Sequence, residues 1–383
     1  MTRRFDTGHY QPQIGGYSAF LPTPLPSGEI YDLTPPILAL NSRADRAVAR
    51  LDGSIDNLPD ADIFVLSYIR KEAVVSSQIE GTQASLGDVL KAEAKIFDSR
   101  QPADVSEVIN HIGSMRYALD QIQQRPITTN LICEMHQRLM HDVRGGEKQP
   151  GSIRETQNWI GAEGSSIGEA IFVPPPPTMV RECLADLERF INEDQNLPLL
   201  VKTALAHAQF ETIHPFLDGN GRVGRMLITL MLSHAGALSK PVLYISHYFR
   251  QRRAEYTDRL QITRDIGDWD SWIEFFLNAV IEVSEDATRV SRAITQLRES
   301  HRAQIIEAMP RGAGNALRLH EKLFSLPLIT VPAAKTFLDM TFAGANNLIS
   351  KLVELGILIE ITGSPRRRAF MYESYFRLFE PAP

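Results

Sequence analysis

The sequence predicts a mainly α-helical protein, a helical bundle that carries a short β-hairpin and is followed by a small winged-helix-like C-terminal domain. Three observations lead there. Apolar residues recur at helical spacing through most of the stretch from Pro36 to Ala308. One interruption, between Gly145 and Pro177, mixes β-branched and aromatic residues with Gly and Ser and ends in four prolines that forbid a helix. From Gly314 onward the pattern changes again, with two short helical runs ahead of two strand-like runs.

Residues 1–36 are rich in Pro, Gly and aromatics and read as a segment that wraps as an ordered irregular arm or frays, without regular helices. Helical patterning follows from Pro36 to Phe97. Within it, Asp60 to Ser76 sets Ile63, Leu66, Ile69 and Ala73 on one apolar stripe and delivers Ser76 to Gly81 at its C-terminal end. Val105–Gln123, Asn130–His141, Met179–Asn192 and Leu199–Phe210 have the same helix-like spacing. The interrupted segment, ending IFVPPPP, reads as a long loop with a short β-hairpin. A helix resumes after Gly219, starting at about Arg222 and reaching His234, and further helices extend to about Ala308. In the tail, Ala333–Leu338 and Gly344–Leu355 precede GILIEITGSPRRRAFMYES, two strands around a basic turn. These changes divide the chain into an N-terminal arm and helical region over 1–100, a core over 101–300 and a tail domain over 301–383.

At 383 residues the chain exceeds the usual size of one domain. A hydrophobic share of 43% with 22% charged residues supplies a core and argues against wholesale disorder. The formal charge of −6 gives no global reason to expect nucleic acid or anionic membrane as the main partner. Cys133 and Cys183 are too few for a disulfide scaffold or a metal cluster and point to a reducing compartment. The N-terminus has no apolar run of signal-peptide length, and no later run approaches a membrane span. A cytoplasmic protein without a membrane partner is expected.

The chemistry concentrates in His214–Arg225, HPFLDGNGRVGR. Pro215 and the Gly219-Asn220-Gly221 trio allow a tight turn whose backbone N–H groups face one concavity at a helix N-terminus, an anion-binding arrangement suited to phosphate. Arg222 and Arg225 stand three apart on the first turn of that helix, so two guanidinium forks reach the same polyphosphate. Asp218 offers a hard oxygen ligand for Mg²⁺ completed by phosphate oxygens and water. His214 offers an imidazole of near-neutral pKa to accept the proton of an attacking hydroxyl. A lone histidine or a lone Gly-Asn-Gly turn is usually structural; it is the ordered combination that points to function.

This segment resembles the Fic motif HPFxxGNGRxxR at every fixed position, and the preceding ALAHAQFETI is similar to the same family. The resemblance implies a Fic-fold bundle and a protein adenylyltransferase that uses ATP and Mg²⁺. His214 would be the catalytic base and Asp218 the metal ligand. Phe216, Gly219, Asn220, Gly221, Arg222 and Arg225 would form the nucleotide site. SSQIEG, holding Ser76, Glu80 and Gly81, resembles the family's inhibitory (S/T)xxxE(G/N) signature in its N-terminal, class II, position. By itself a Ser and a Glu at helical spacing is commonplace. The resemblance implies a Glu80–Arg225 pair that withdraws the guanidinium from the γ-phosphate.

IFVPPPP resembles the Fic flap, so a target protein is expected to dock by strand addition near Ile171–Pro174. The family's (N/H)RxxYY-like pattern near the base is met by Arg252, Arg253, Ala254, Glu255, Tyr256 and Thr257, with departures at two positions that loosen the expectation of strict ATP preference. Arg366, Arg367 and Arg368 in the tail's basic turn raise a DNA contact by the C-terminal domain, beside protein docking and a homodimer. Two alternatives stand next to AMP transfer from ATP to a Ser, Thr or Tyr hydroxyl of a target or of the chain itself. One is a DNA-binding regulator with a nucleotide-sensing core; the other is a Fic transferase using another nucleotide donor.

Overall fold

The computed structural model describes residues 7–25, 33–55, 58, 61–94, 103–162, 164–193, 196–310, 312–363 and 368–379. Strands β1 (Gly8–Pro12) and β2 (Ser18–Pro22) are followed by helices α1 (Pro35–Ile55), α2 (Ala61–Ile79), α3 (Leu86–Glu93), α4 (Ala103–Gln121) and α5 (Thr129–Leu139). An irregular segment with a 3-10 turn at Ile167–Glu169 leads to α6 (Pro177–Asn192), α7 (Leu199–Ile213), α8 (Asn220–His234), α9 (Ser246–Gln251), α10 (Arg253–Ile266) and α11 (Trp269–Ala308). Last come α12 (Ala313–Ser325), β3 (Leu328–Thr330), α13 (Val331–Leu338), α14 (Phe342–Glu354), β4 (Ile359–Glu360), β5 (Ala369–Met371) and α15 (Glu373–Phe376). The architecture is mainly helical with small antiparallel sheets.

Local chemistry sets several helix starts. Thr128 accepts from the Leu131 N–H ahead of α5, and Ser85 and Asp88 close a capping box on α3. α7 has no polar face: Leu200, Val201 and every residue from Thr203 to Ile213 are buried. It packs against α8, α6 and α11, while α8 also meets α2, α4 and α5. A helix buried all round is a central element. The turn joining α7 to α8 is therefore held from both sides by the most enclosed part of the molecule. One contiguous apolar core runs from Leu25 to Phe379.

The arm differs from the irregular reading. β1 and β2 form an antiparallel hairpin with Tyr10 opposite Phe20. Pro12 and Pro22 fall at strand ends, where a missing N–H interrupts no ladder, so the proline content that argued for irregularity is compatible with strands. Residues 1–6 and 26–32 of the arm lie outside the described residues. The expected flap hairpin is reduced to one antiparallel bridge, Ile160 to Phe172, because Pro174 to Pro177 have no N–H to extend a ladder. β2 lies along its other side, with the Phe20 N–H donating to the Val173 carbonyl at 2.9 Å.

α2 buries more than the apolar stripe that its spacing predicted. Ile69 and Ala73 are buried, but so are Ser67, Arg70, Lys71, Glu72, Ser76 and Ser77, since α3, α4, α8, α9 and α12 all pack on it. Leu66 is only half-buried, and the side chain of Ile63 lies outside the described residues. α8 starts at Asn220, slightly ahead of the expected Arg222. In the tail, α12 and β3 precede the expected elements, and the sheet order is β3–β5–β4. Position 300 falls inside α11, which is continuous through it.

Candidate active site

α7 ends where His214 takes a left-handed backbone, φ 48° and ψ 61°, with its N–H bonded to the Phe210 carbonyl. The chain turns through Pro215–Asp218, and Gly219, at φ 77°, opens α8; that sign of φ is what glycine supplies without strain. The Asn220 side chain folds back on the turn: Oδ1 accepts the Phe216 N–H at 2.9 Å and Nδ2 donates to the Phe216 carbonyl at 2.8 Å. Phe216 is fully buried and stacks on His136 with ring centroids 3.8 Å apart. These two predicted nucleotide residues thus brace the turn from beneath.

Arg222 and Arg225 are both buried, at 3% and 1% exposure. Arg222 donates to the Met140 Sδ at 3.2 Å and stands 3.6 Å from Glu107 and 3.8 Å from Asp218. Its Nε and Nη1 have no hydrogen-bond acceptor among the described residues. Burial lowers its pKa. A buried guanidinium with two nitrogens lacking acceptors, one of them 3.6 Å from the Glu107 carboxylate, is short of hydrogen-bond partners.

Arg225 is engaged through Nε and Nη2. Its Nε donates to Ser76 Oγ at 2.9 Å, and its Nη2 donates to the Ser76 carbonyl at 3.0 Å and to Glu80 Oε1 at 2.7 Å. Burial pushes the Glu80 carboxyl up, but the charge and hydrogen bond of Arg225 outweigh it and hold the carboxyl below its ordinary range. For Arg225 burial acts downward and Glu80 prevails, raising its pKa. α2 gives way to a turn in which Gly81 has φ 98°, so Glu80 projects from the helix end across the first turn of α8. Gly221 makes room for it: a Cβ there would lie 2.4 Å from Glu80 Oε1.

Asp218 Oδ2 accepts from Lys148 Nζ at 2.9 Å and Oδ1 accepts the Gly219 N–H at 2.7 Å. Burial would raise its pKa; Lys148, followed by Arg222, lowers it on balance. No group of three or more His, Cys, Asp or Glu side chains able to hold a metal occurs among the described residues. A single reachable carboxylate fits Mg²⁺ carried in on a polyphosphate rather than a resident metal. Burial, followed by the charges of Arg264 and Arg154, pushes the His214 imidazole down to about 4, so it is neutral at pH 7, and its Nδ1 is buried without a hydrogen-bond partner.

Several residues at this site have no signal in the linear sequence. Glu107 on α4 faces Arg222 and accepts from Thr82 at 3.1 Å. His136 on α5 bonds the Asp218 carbonyl at 3.0 Å and accepts the Gly151 N–H at 2.9 Å. Glu211, whose Oε1 is buried without a partner, is pushed up to about 7 by burial despite Arg225. Arg154, Asn158 and Lys148 come from the loop after α5. Of the residues expected near a base, Tyr256 is buried, stacks on Phe249 at 4.5 Å and bonds His207 at 3.0 Å, whereas Arg252 pairs with Glu282 at 3.0 Å on the surface. Near the flap, Ile171 is 69% and Trp159 40% exposed. Arg366 and Arg367 lie outside the described residues, and Arg368 pairs with Glu360 at 2.9 Å. Among the described residues no helix is long and apolar enough to cross a membrane.

Two family models match this architecture in sequence: the Fic/DOC family N-terminal model over residues 38–120 and the Fic/DOC family model over residues 126–232. The chain carries a Fic N-terminal region and a Fic domain. The second match takes in the whole turn and both arginines; the first takes in Ser76, Glu80 and Glu107. Among curated Fic relatives, the chain is similar to protein adenylyltransferase Fic of Drosophila grimshawi, 30% identical over 203 residues that make up 51% of this chain and 38% of that protein. It is also similar to protein adenylyltransferase fic-1 of Caenorhabditis briggsae, 28% identical over 204 residues, 51% of this chain and 37% of that protein. The chain thus spans less than two-fifths of the length of these curated relatives. In fold it is similar to a Fic family protein from Desulfovibrio desulfuricans G20, with TM-score 0.59 and 20% identity over 89% of this chain and 97% of that one. Fic-1 of C. elegans matches with TM-score 0.51 and 23% identity over 69% of this chain and 75% of that one.

Proposed function

We propose that this Fic chain transfers AMP from ATP to a hydroxyl side chain of a protein, its own included, and that Glu80 restrains the reaction. The observation that carries the reading is the pair of buried guanidiniums on one helical turn, Arg222 with open donors and Arg225 held by Glu80. In this reading the α8 N-terminus and Arg222 receive the phosphates. Asp218 would hold Mg²⁺, which offsets polyphosphate charge when bound. His214 takes the proton of the incoming hydroxyl, whose oxygen bonds to the α-phosphorus as the bond to the bridging oxygen breaks and pyrophosphate leaves. Positioning and charge stabilisation supply most of the acceleration.

Glu80 on Arg225 occupies the guanidinium that would otherwise grip the γ-phosphate. In this reading a target docks at the flap, which the exposed Ile171 and Trp159 favour; the Val173 carbonyl is already taken by Phe20. The helix–strand–helix–helix–strand–strand order of residues 313–371 supports a winged-helix reading of the tail. The Arg368–Glu360 pair favours a structural use of that wing arginine over a phosphate contact. Intact-mass analysis of Glu80→Gly with Mg²⁺ and ATP, alone and with lysate, tests the proposal. Gain of one adenylyl group, faster than in the unaltered chain, is expected; no adduct on any protein would end the reading.

A further inference from the structure

Arg154 belongs to no helix or strand, yet its side chain is 1% exposed. Its Nε donates to the His214 carbonyl at 2.9 Å. Its Nη2 donates to the Pro175 carbonyl at 2.6 Å and, more weakly, to the Ile213 carbonyl at 3.4 Å, while Nη1 reaches the Thr156 carbonyl at 3.4 Å. Even its backbone N–H is committed, to the Pro215 carbonyl at 2.9 Å. The ionisable neighbour that acts on it is Cys183, whose thiol burial pushes up to about 11 and so keeps neutral. A buried cation solvated by carbonyl oxygens alone is a costly arrangement. What those carbonyls share explains it.

Ile213, His214 and Pro215 form the junction between α7 and the phosphate turn; Pro175 is the base of the flap. One planar guanidinium ties the two together, as a forked donor can and an ammonium cannot. His214 needs the restraint, because a left-handed backbone at a residue other than glycine is strained and persists only when its surroundings fix it. Asn158, four residues on, holds the next step of the turn, its Nδ2 donating to the Phe216 carbonyl at 2.9 Å and to the His214 carbonyl at 3.4 Å.

We propose that Arg154 is a positioning residue for the transfer reaction, joining the backbone that carries the His214 imidazole to the base of the flap so that a hydroxyl presented on the flap meets the base. Its charge adds to burial and Arg264 in keeping that imidazole unprotonated. The inference rests on the transferase reading above. Arg154→Lys keeps a buried cation but cannot bridge the same carbonyls, and Arg154→Met removes charge and bridge together.

Both variants are made in the Glu80→Gly chain and assayed with α-labelled ATP on whichever acceptor that parent labels. Thermal midpoint and Mg-ATP affinity are measured alongside. Roughly a hundredfold lower turnover at saturating ATP is expected in Arg154→Lys, as for other small misplacements of reacting groups, with Mg-ATP affinity within about twofold of the parent because the phosphate contacts are untouched. Folded Arg154→Met should in addition show its acid limb displaced toward higher pH, a change that a merely structural role would not produce. Parental turnover in folded Arg154→Lys would overturn the inference, as would a hundredfold loss that follows lost Mg-ATP affinity. If Arg154→Met fails to fold, Arg154→Lys alone decides. A Glu80→Gly parent that labels nothing removes the transferase reading itself, whereas a labelling parent with indifferent Arg154 variants removes only this inference.

Discussion

Arg225 and Arg222 differ by three positions and by their state. The first has three hydrogen bonds to α2 and its end, the second has two open nitrogens. The Glu80 side chain is 38% exposed while that of Arg225 is 1% exposed, so removing Glu80 strips a buried cation of its charge partner but leaves the two Ser76 acceptors. That asymmetry makes Glu80 the member of the pair whose substitution disturbs the buried contacts less. Titration separates the buried acids from the buried histidines. Burial drives His214 and His136 down to about 4 and His207 to about 3. Their folded values lie below the ordinary 6.5, so they support folding above that pH and the support is lost as pH falls toward 4. Glu211 runs the other way: its carboxyl is raised from 4.5 to about 7, so its contribution is complete below 4.5 and is lost as pH rises through 7. Glu211→Gln is therefore expected to raise the thermal midpoint relative to the unaltered chain at pH 8, with the gain gone at pH 5. A gain of equal size at both values would show that Glu211 does not titrate in the folded protein.

At the scale of elements, the turn between α7 and α8 is supported by α5 as much as by its own sequence. His136 accepts the Gly151 N–H at Nδ1, which leaves Nε2 to donate to the Asp218 carbonyl. Its ring also covers Phe216. His136→Ala leaves one N–H and one carbonyl without partners, and a loss of about 1–3 kcal/mol in denaturant unfolding is expected. Weaker Mg-ATP binding in the Glu80→Gly background should accompany it, because Asp218 loses its backbone anchor. A variant equally stable and equally tight would show that the stack and bonds are incidental. The turn itself was legible in the sequence, since HPFLDGNGRVGR lies in one run and its Pro and glycines break one helix and open the next. Its supports were not. His136 is 82 positions from Asp218 and Arg154 is 60 from His214, and a His or Arg in a helix or loop carries no local mark of such a partner. The arm's strands were missed for a different reason: prolines that exclude a central strand are harmless at the ends of a hairpin.

Across the whole molecule, α2 is gripped at both ends. Its C-terminal end meets α8 through Ser76 and Arg225; its first half meets the tail. Ser67 Oγ and Tyr375 OH lie 2.9 Å apart, Arg70 donates to the Ser325 carbonyl at 3.1 Å, and the rings of Tyr68 and Phe379 meet edge to face at 5.7 Å. The tail thus packs on the helix that leads to Glu80. Tyr375→Phe removes the hydroxyl that bonds Ser67, at an expected cost of about 0.5–1.5 kcal/mol. Faster amide hydrogen exchange along α2 is expected as well. Unchanged exchange in α2 with a lowered midpoint would confine the contact's effect to the tail.

By itself the sequence determined what is local: helical content from apolar spacing, the tight turn ahead of a helix from Pro and Gly in fixed order, and the helix end that carries Glu80. Only the tertiary structure decided that Ser76, 149 positions away, joins Glu80 on Arg225, that burial pushes the His214 imidazole down, and that α2 buries polar as well as apolar side chains. The reason is physical. Backbone preference and periodicity act between neighbours in the chain, whereas desolvation and charge pairing depend on which distant side chains share a volume closed to water.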